Sequence, residues 1–89
     1  TVMKVSSKSR STAVAGAIAG MFRNDEADEI DVLAIGAGAV YQAVKAVCHA
    51  RRFLDEDGEI EFACEASFVD QEIDGEERTA VRLHLYPRI

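Results

Sequence analysis

The sequence predicts an α+β fold: a mixed four-stranded sheet with two helices on one face, in the order β-α-β-α-β-β. Three observations carry that prediction. Two segments, Thr12 to Phe22 and Ala39 to Phe53, repeat apolar residues at helical spacing, and each follows a short run of strand character. Two long alternating runs close the chain on either side of Asp74-Gly75, a dipeptide that marks a tight hairpin turn. A length of 89 residues allows one domain built on a single core.

The elements follow in order. Val2-Met3-Lys4-Val5 reads as a short strand, and Ser6 through Ser11 as a polar loop whose Ser9 or Ser11 caps the first helix. In that helix Val14, Ile18 and Met21/Phe22 face the core, and Asn24-Asp25 ends it. Gly16 and Gly20 are expected to let it pack closely, because glycine inside a helix costs about 1 kcal/mol against alanine. Glu29 to Ile35 alternates and then becomes fully apolar, as an inner strand does. The first β-α-β can form a parallel crossover, which should be right-handed.

Gly36-Ala37-Gly38 turns the chain into the second helix. There Val40, Val44, Val47 and Cys48 mark an expected buried stripe. Ala39, Ala43, Ala46 and Ala50 mark a second stripe, either a dimer seam or a face against the sheet. Asp55-Glu56-Asp57-Gly58 reads as a turn, and Glu59 to Val69 and Thr79 to Tyr86 as the last two strands.

Composition narrows the function. No apolar run reaches membrane-spanning length and no leader pattern is visible, so a cytoplasmic protein is expected, with Cys48 and Cys64 buried and reduced in its core. The net charge of −6 is segregated. Lys4, Lys8, Arg10 and Arg23 precede the first acid, whereas the stretch from Asp55 to Glu77 is acidic without a base. No acid–base–nucleophile set is visible, which argues against an enzyme. His49 and His84 have no partner at a catalytic or zinc spacing, and Asp25–Asp31 and Asp55–Glu61 lack the calcium-loop pattern. No metal and no cofactor are expected; Tyr41 stands where a dinucleotide fingerprint needs its third glycine.

Two segments can meet an anion. Ser6-Ser7-Lys8-Ser9-Arg10-Ser11-Thr12 combines cationic side chains, hydroxyls and the amides of a helix start. Gly36 and Gly38 let a phosphate approach the start of the second helix, where Tyr41, Gln42 and Lys45 follow. The bland readings are an ordinary capped helix start with solvated bases, and glycines that permit a turn and close packing.

The blocks Lys4-Val5-Ser6 through Lys8, Val14 to Gly20, Ile35 to Ala39, Gln42 to Ala46 and Ile73 to Ala80 resemble the stage V sporulation protein S family over nearly the whole chain. The resemblance implies a small bacterial cytoplasmic protein linked to sporulation. It also implies the Alba-like fold shared with archaeal chromatin proteins, usually built as a dimer. In Alba-like proteins the loop before the first helix carries DNA-contacting lysines, and Lys8 and Arg10 stand at the matching place. In the Alba pattern the second loop and the helix after it carry arginines, where this chain has Gly38 and Gln42, and the hairpin arm is long and basic, where this chain has Glu72, Asp74, Glu76 and Glu77. A fold-level relation to the C-terminal domain of the third bacterial translation initiation factor would favour RNA.

Two classes of function follow. The first is a non-enzymatic regulator, homodimeric or higher, that binds DNA or RNA through Lys8, Ser9, Arg10, Gly36, Gly38, Tyr41, Gln42 and Lys45. The second is a protein-interaction module whose acidic hairpin and alanine stripe bind a protein partner. Strong nonspecific duplex binding is disfavoured by the negative charge. Tyr41 is the one aromatic expected on the surface, with Phe22, Phe53, Phe62 and Phe68 in the core.

Overall fold

In a computed structural model, which describes residues 1–58 and 60–88 (the Asp57 side chain apart), the sheet has the order β1-β2-β4-β3. Its elements are β1 (Val2–Val5), α1 (Ser11–Arg23), β2 (Ile30–Ala34), α2 (Ala37–Asp57), β3 (Phe62–Ile73) and β4 (Glu76–Pro87). β1 pairs with β2 in parallel, and β2–β4 and β4–β3 are antiparallel, so the predicted α+β architecture with a mixed sheet is the one observed. No helix among the described residues is long and apolar enough to cross a membrane.

The strand pleat assigns the two sheet faces. Ile30, Val32 and Ala34 of β2 lie opposite Leu85, Leu83 and Val81 of β4, and this face meets the helices. Asp31 and Leu33, opposite His84 and Arg82, belong to the helix-free face. Ala15, Ile18, Ala19 and Phe22 bury one side of α1, and the Phe22 ring stacks on Phe62 of β3 at 5.6 Å. Arg51 of α2 also lies over the Phe62 ring, 4.5 Å from its centre, and donates to the Phe62 carbonyl at 3.0 Å.

Several boundaries and faces differ from the sequence expectation. Neither Ser9 nor Ser11 caps α1; Arg10 occupies the cap position without a side-chain bond. α2 runs on through Asp55-Glu56-Asp57 rather than turning there, and ends at Gly58, whose left-handed conformation and N–H bonds to the Leu54 and Asp55 carbonyls stop it. The expected start of β3 at Glu59 lies outside the described residues; the strand itself extends to Ile73, four residues beyond Val69.

The alanine stripe, not the valine stripe, is the buried side of α2. Ala39, Ala43, Ala46 and Ala50 are enclosed within the chain together with Val47, which removes them as a dimer seam. Val40 is only partly covered, and Val44 and Cys48 are exposed. The reason is distance: α2 runs close along α1, and small side chains are what that approach admits. Gly16 and Gly20 do not contribute to it, since a Cβ built on either would meet nothing within 4 Å. Cys48 and Cys64 are free thiols on the surface rather than core residues.

β3 and β4 pair from Phe62↔Pro87 to Ile73↔Glu76, while β2 reaches only from Leu85 to Val81 of β4. The far end of the hairpin therefore projects past the sheet as an arm, and the molecule measures 43 × 23 × 18 Å. Asp74 and Gly75 both take positive φ, as the predicted tight turn requires. On this stretch Phe68 is 78% exposed, not core as expected: it points to the helix side where no helix covers β3.

Candidate nucleic-acid interface

The two candidate anion segments lie at the C-terminal ends of the parallel strands β1 and β2, where both chains turn into helices. This topology alone brings them side by side, because the strands are paired in register from Val2↔Asp31 to Val5↔Ala34. Contact then joins them. A Cβ on Gly38 would sit 3.0 Å from the Ser7 Cβ, so Gly38 is what lets the first loop rest on the first turn of α2. Gln42, one turn further, donates from Nε2 to the Ser7 carbonyl at 3.4 Å. Its Oε1 is buried without a partner. Gly36 has φ +91° and ψ 156°, a conformation reserved for glycine, so its place in the turn is set by the backbone.

Inside the first loop the serines hold one another. Ser6 N–H donates to the Ser9 Oγ at 2.9 Å, Lys8 N–H to the Ser6 Oγ at 3.2 Å, and Ser9 N–H to the Ser6 carbonyl at 3.0 Å. Ser9, expected to contact phosphate or cap the helix, is thus used to shape the turn. The turn leaves the Lys8 and Arg10 side chains exposed, and neither has an ion pair among the described residues.

Both helix starts are open electrostatically. Neither α1 nor α2 has a side-chain cap or an acid in its first turn. Their unpaired amides and positive dipole ends flank the contact between Ser7 and Gly38, with Lys8 and Arg10 beside them. Tyr41, 63% exposed, and Lys45 continue along α2, where the ammonium lies 4.6 Å from the ring centre. The structure therefore joins the Ser6–Arg10 loop to Gly36, Gly38 and Gln42 in one unit, with Tyr41 and Lys45 on the helix leading away from it. What this arrangement can do chemically is hold an oxyanion through backbone amides and exposed cations.

One constellation escaped the sequence reading. His84, expected to stand without a partner, donates from Nδ1 to Asp31 Oδ1 at 2.6 Å and lies 3.1 Å from Glu29 Oε1 through Nε2. Arg82 Nε donates to the same Asp31 oxygen at 2.9 Å, and the Tyr86 hydroxyl donates to Glu65 at 2.7 Å. The bond to Asp31 raises the His84 pKa above its ordinary value, against a smaller opposing effect of partial burial, and Glu29 adds to the rise. Burial pushes Asp31 upward, but the His84 and Arg82 bonds together outweigh it and hold the carboxyl below the usual range. The partners are more than 50 residues apart, and only the register Asp31↔His84 brings them together; alternation along β2 and β4 was the available signal. This cluster occupies the helix-free face of the central strands.

Comparison with known proteins agrees with the geometry. Alba from Thermoplasma volcanium superposes with a TM-score of 0.65 over 97% of this chain and 99% of that one, at 15% identity, a likeness that establishes the Alba fold. The sequence model described as stage V sporulation protein S matches residues 1–88. With strand order, helix placement and this match in accord, the chain belongs to the stage V sporulation protein S family.

Proposed function

We propose that this protein is a non-enzymatic, cytoplasmic regulator of sporulation that binds nucleic acid as a homodimer. Phosphates of the nucleic acid meet Lys8, Arg10 and the open amides of α1 and α2. The observation that carries the reading is the close fit of Ser7 against Gly38, where an added Cβ would come within 3.0 Å of the Ser7 Cβ; it sets two uncapped helix starts next to two cations without an ion pair among the described residues. Tyr41 and Lys45 extend this surface along α2. The acidic arm runs past this same end of the sheet, and its exposed Glu72, Asp74, Glu76 and Glu77 repel phosphate, which leaves the loop and the two helix starts as the phosphate contacts.

The second copy covers the apolar surface left open on the helix side, where Val44 of α2 is 43% and Phe68 of β3 is 78% exposed. This assigns dimerisation to the valine side of α2, since the alanine stripe is already enclosed.

The test is fluorescence anisotropy of labelled single-stranded RNA and duplex DNA, titrated with salt, on the wild type and on Lys8→Glu/Arg10→Glu. The expected result is salt-sensitive binding that weakens by about tenfold or more in the variant, as loss of several phosphate contacts requires. Unchanged binding in the variant, or none by the wild type, sinks the reading.

A further inference from the structure

Beside the Ser6–Arg10 loop, on the helix-free face, lies a cleft of about 340 Å³. It forms where the arm of β3 and β4 runs past the ends of β1 and β2. Its apolar part is Val5, Leu33, Ile35, Ile73 and Ala80. Lys4, Ser6 and Ser7 line it from β1 and the loop that follows. Lys4 belongs to the helix-free face, because it lies level with Leu33 while Val5 turns to the helices.

We propose that this cleft holds one unstacked base of a single-stranded nucleic acid whose neighbouring phosphate lies on the Ser6–Arg10 loop. The inference rests on the nucleic-acid reading above and specifies its substrate class. Four features select a base. The volume stands at the small end of ligand pockets, roughly 300–1,000 Å³, enough for one ring system and part of its sugar. Branched aliphatic side chains offer flat apolar contact to the ring faces, as apolar side chains do in pockets that take a base out of its stack. The Lys4 ammonium, without an ion pair among the described residues, and the Ser7 hydroxyl meet the polar edge of a base, which a hydrocarbon occupant would leave unsatisfied. Glu72 also lines the cleft, which disfavours entry of a phosphate and leaves the base as the part that enters.

Position adds the link to the loop. Ser6 and Ser7 line the cleft, and Lys8 and Arg10 of the same loop carry the proposed phosphate contacts. One nucleotide therefore bridges cation and cleft. A base held in a Watson–Crick stack cannot reach such a recess, so duplexes use the loop alone.

The experiment compares single-stranded RNA and DNA oligonucleotides of one sequence with the same strands carrying abasic positions, by anisotropy at fixed salt. The wild type should bind the intact strands about fivefold or more tightly than the abasic ones, the scale of losing one base contact. Ile73→Ser, at an exposed arm position, and Lys4→Ala should each reduce that preference while duplex affinity and the melting temperature stay as in the wild type. Equal binding of intact and abasic strands, with the salt dependence kept, overturns the cleft and leaves the phosphate reading standing. A preference that survives both variants also overturns the cleft, because the base then lies elsewhere. No binding of either strand overturns both readings. A preference for RNA over DNA, lost with the abasic strand, identifies the sugar as part of the recognised unit.

Discussion

Two glycine pairs serve this molecule differently. At the start of α2, Gly36 holds a φ of +91° and Gly38 lies against Ser7, so each has a stated structural demand. In the middle of α1, Gly16 and Gly20 face open space, and no neighbour among the described residues explains them. Both pairs sit in alanine-rich surroundings, and the sequence suggests close packing for each. The difference teaches that a glycine's role is set by its backbone angle and by what crosses it. A positive φ requires Gly36 and a second chain segment crosses Gly38, whereas nothing among the described residues crosses Gly16 or Gly20. The proposed nucleic-acid surface lies at the first pair.

The largest effect that tests this contrast is Gly38→Val. Branched bulk at that position drives Ser7 away, loosens the Gln42 bond and separates the two helix starts. Overpacking of this kind costs typically about 1–3 kcal/mol. The affinity for single-stranded RNA should fall by about tenfold, the equivalent of roughly 1.4 kcal/mol, because the phosphate donors no longer converge. Chemical denaturation and anisotropy on the same variant read the two quantities. Affinity retained beside lost stability would break the link between the Ser7–Gly38 contact and binding.

Much of the fold was legible because it depends on short-range pattern. The apolar period of α1, the alternation of β4 and the Asp74-Gly75 turn each appear within a few residues of sequence. Which stripe of α2 is buried was not legible in that way. Valine reads as more core-like than alanine, but the close approach of α1 to α2 rewards small volume, and that distance is a tertiary fact. Phe68 misled for a related reason: it has core chemistry on a strand that outruns its helices. The candidate site was legible as two loops, since charge and glycine are local. That Ser7 and Gly38 touch follows only from the parallel pairing of β1 with β2. The His84 cluster depends on register alone, and so was missed.

Gly16→Ala should do the opposite of Gly38→Val. The added methyl meets no atom within 4 Å, and alanine is favoured in a helix interior. Stability should rise by about 0.5–1 kcal/mol, with nucleic-acid affinity unchanged. For a domain of this size the melting temperature should climb by roughly 2–8 °C. A drop instead, concentration-dependent and accompanied by dissociation in analytical ultracentrifugation, would show that a second copy crosses α1 as Ser7 crosses α2. The two glycine pairs would then be alike after all, and the dimer face would move from Val44 and Phe68 to α1.

The smallest effect supplies the control, since it changes stability far from both glycine pairs. His84 has a raised pKa, so its contribution is fully present below the unfolded value of 6.5 and is lost as pH rises through the higher folded value. Asp31 is lowered from 3.8, so its contribution is present above that value and is lost as pH falls through the lower one. The Asp31–His84 link is therefore complete between these ordinary values of 3.8 and 6.5. His84→Gln should lower the melting temperature most within that window, and the variant and wild-type curves should converge toward alkaline pH. Because the cluster lies on the helix-free face among central strands, RNA affinity measured within the window should not change. If His84→Gln weakened binding as much as Gly38→Val, affinity would be following overall stability, and the contact between Ser7 and Gly38 would lose its special claim. If affinity holds while stability falls, the tenfold loss in Gly38→Val belongs to the geometry of the two helix starts.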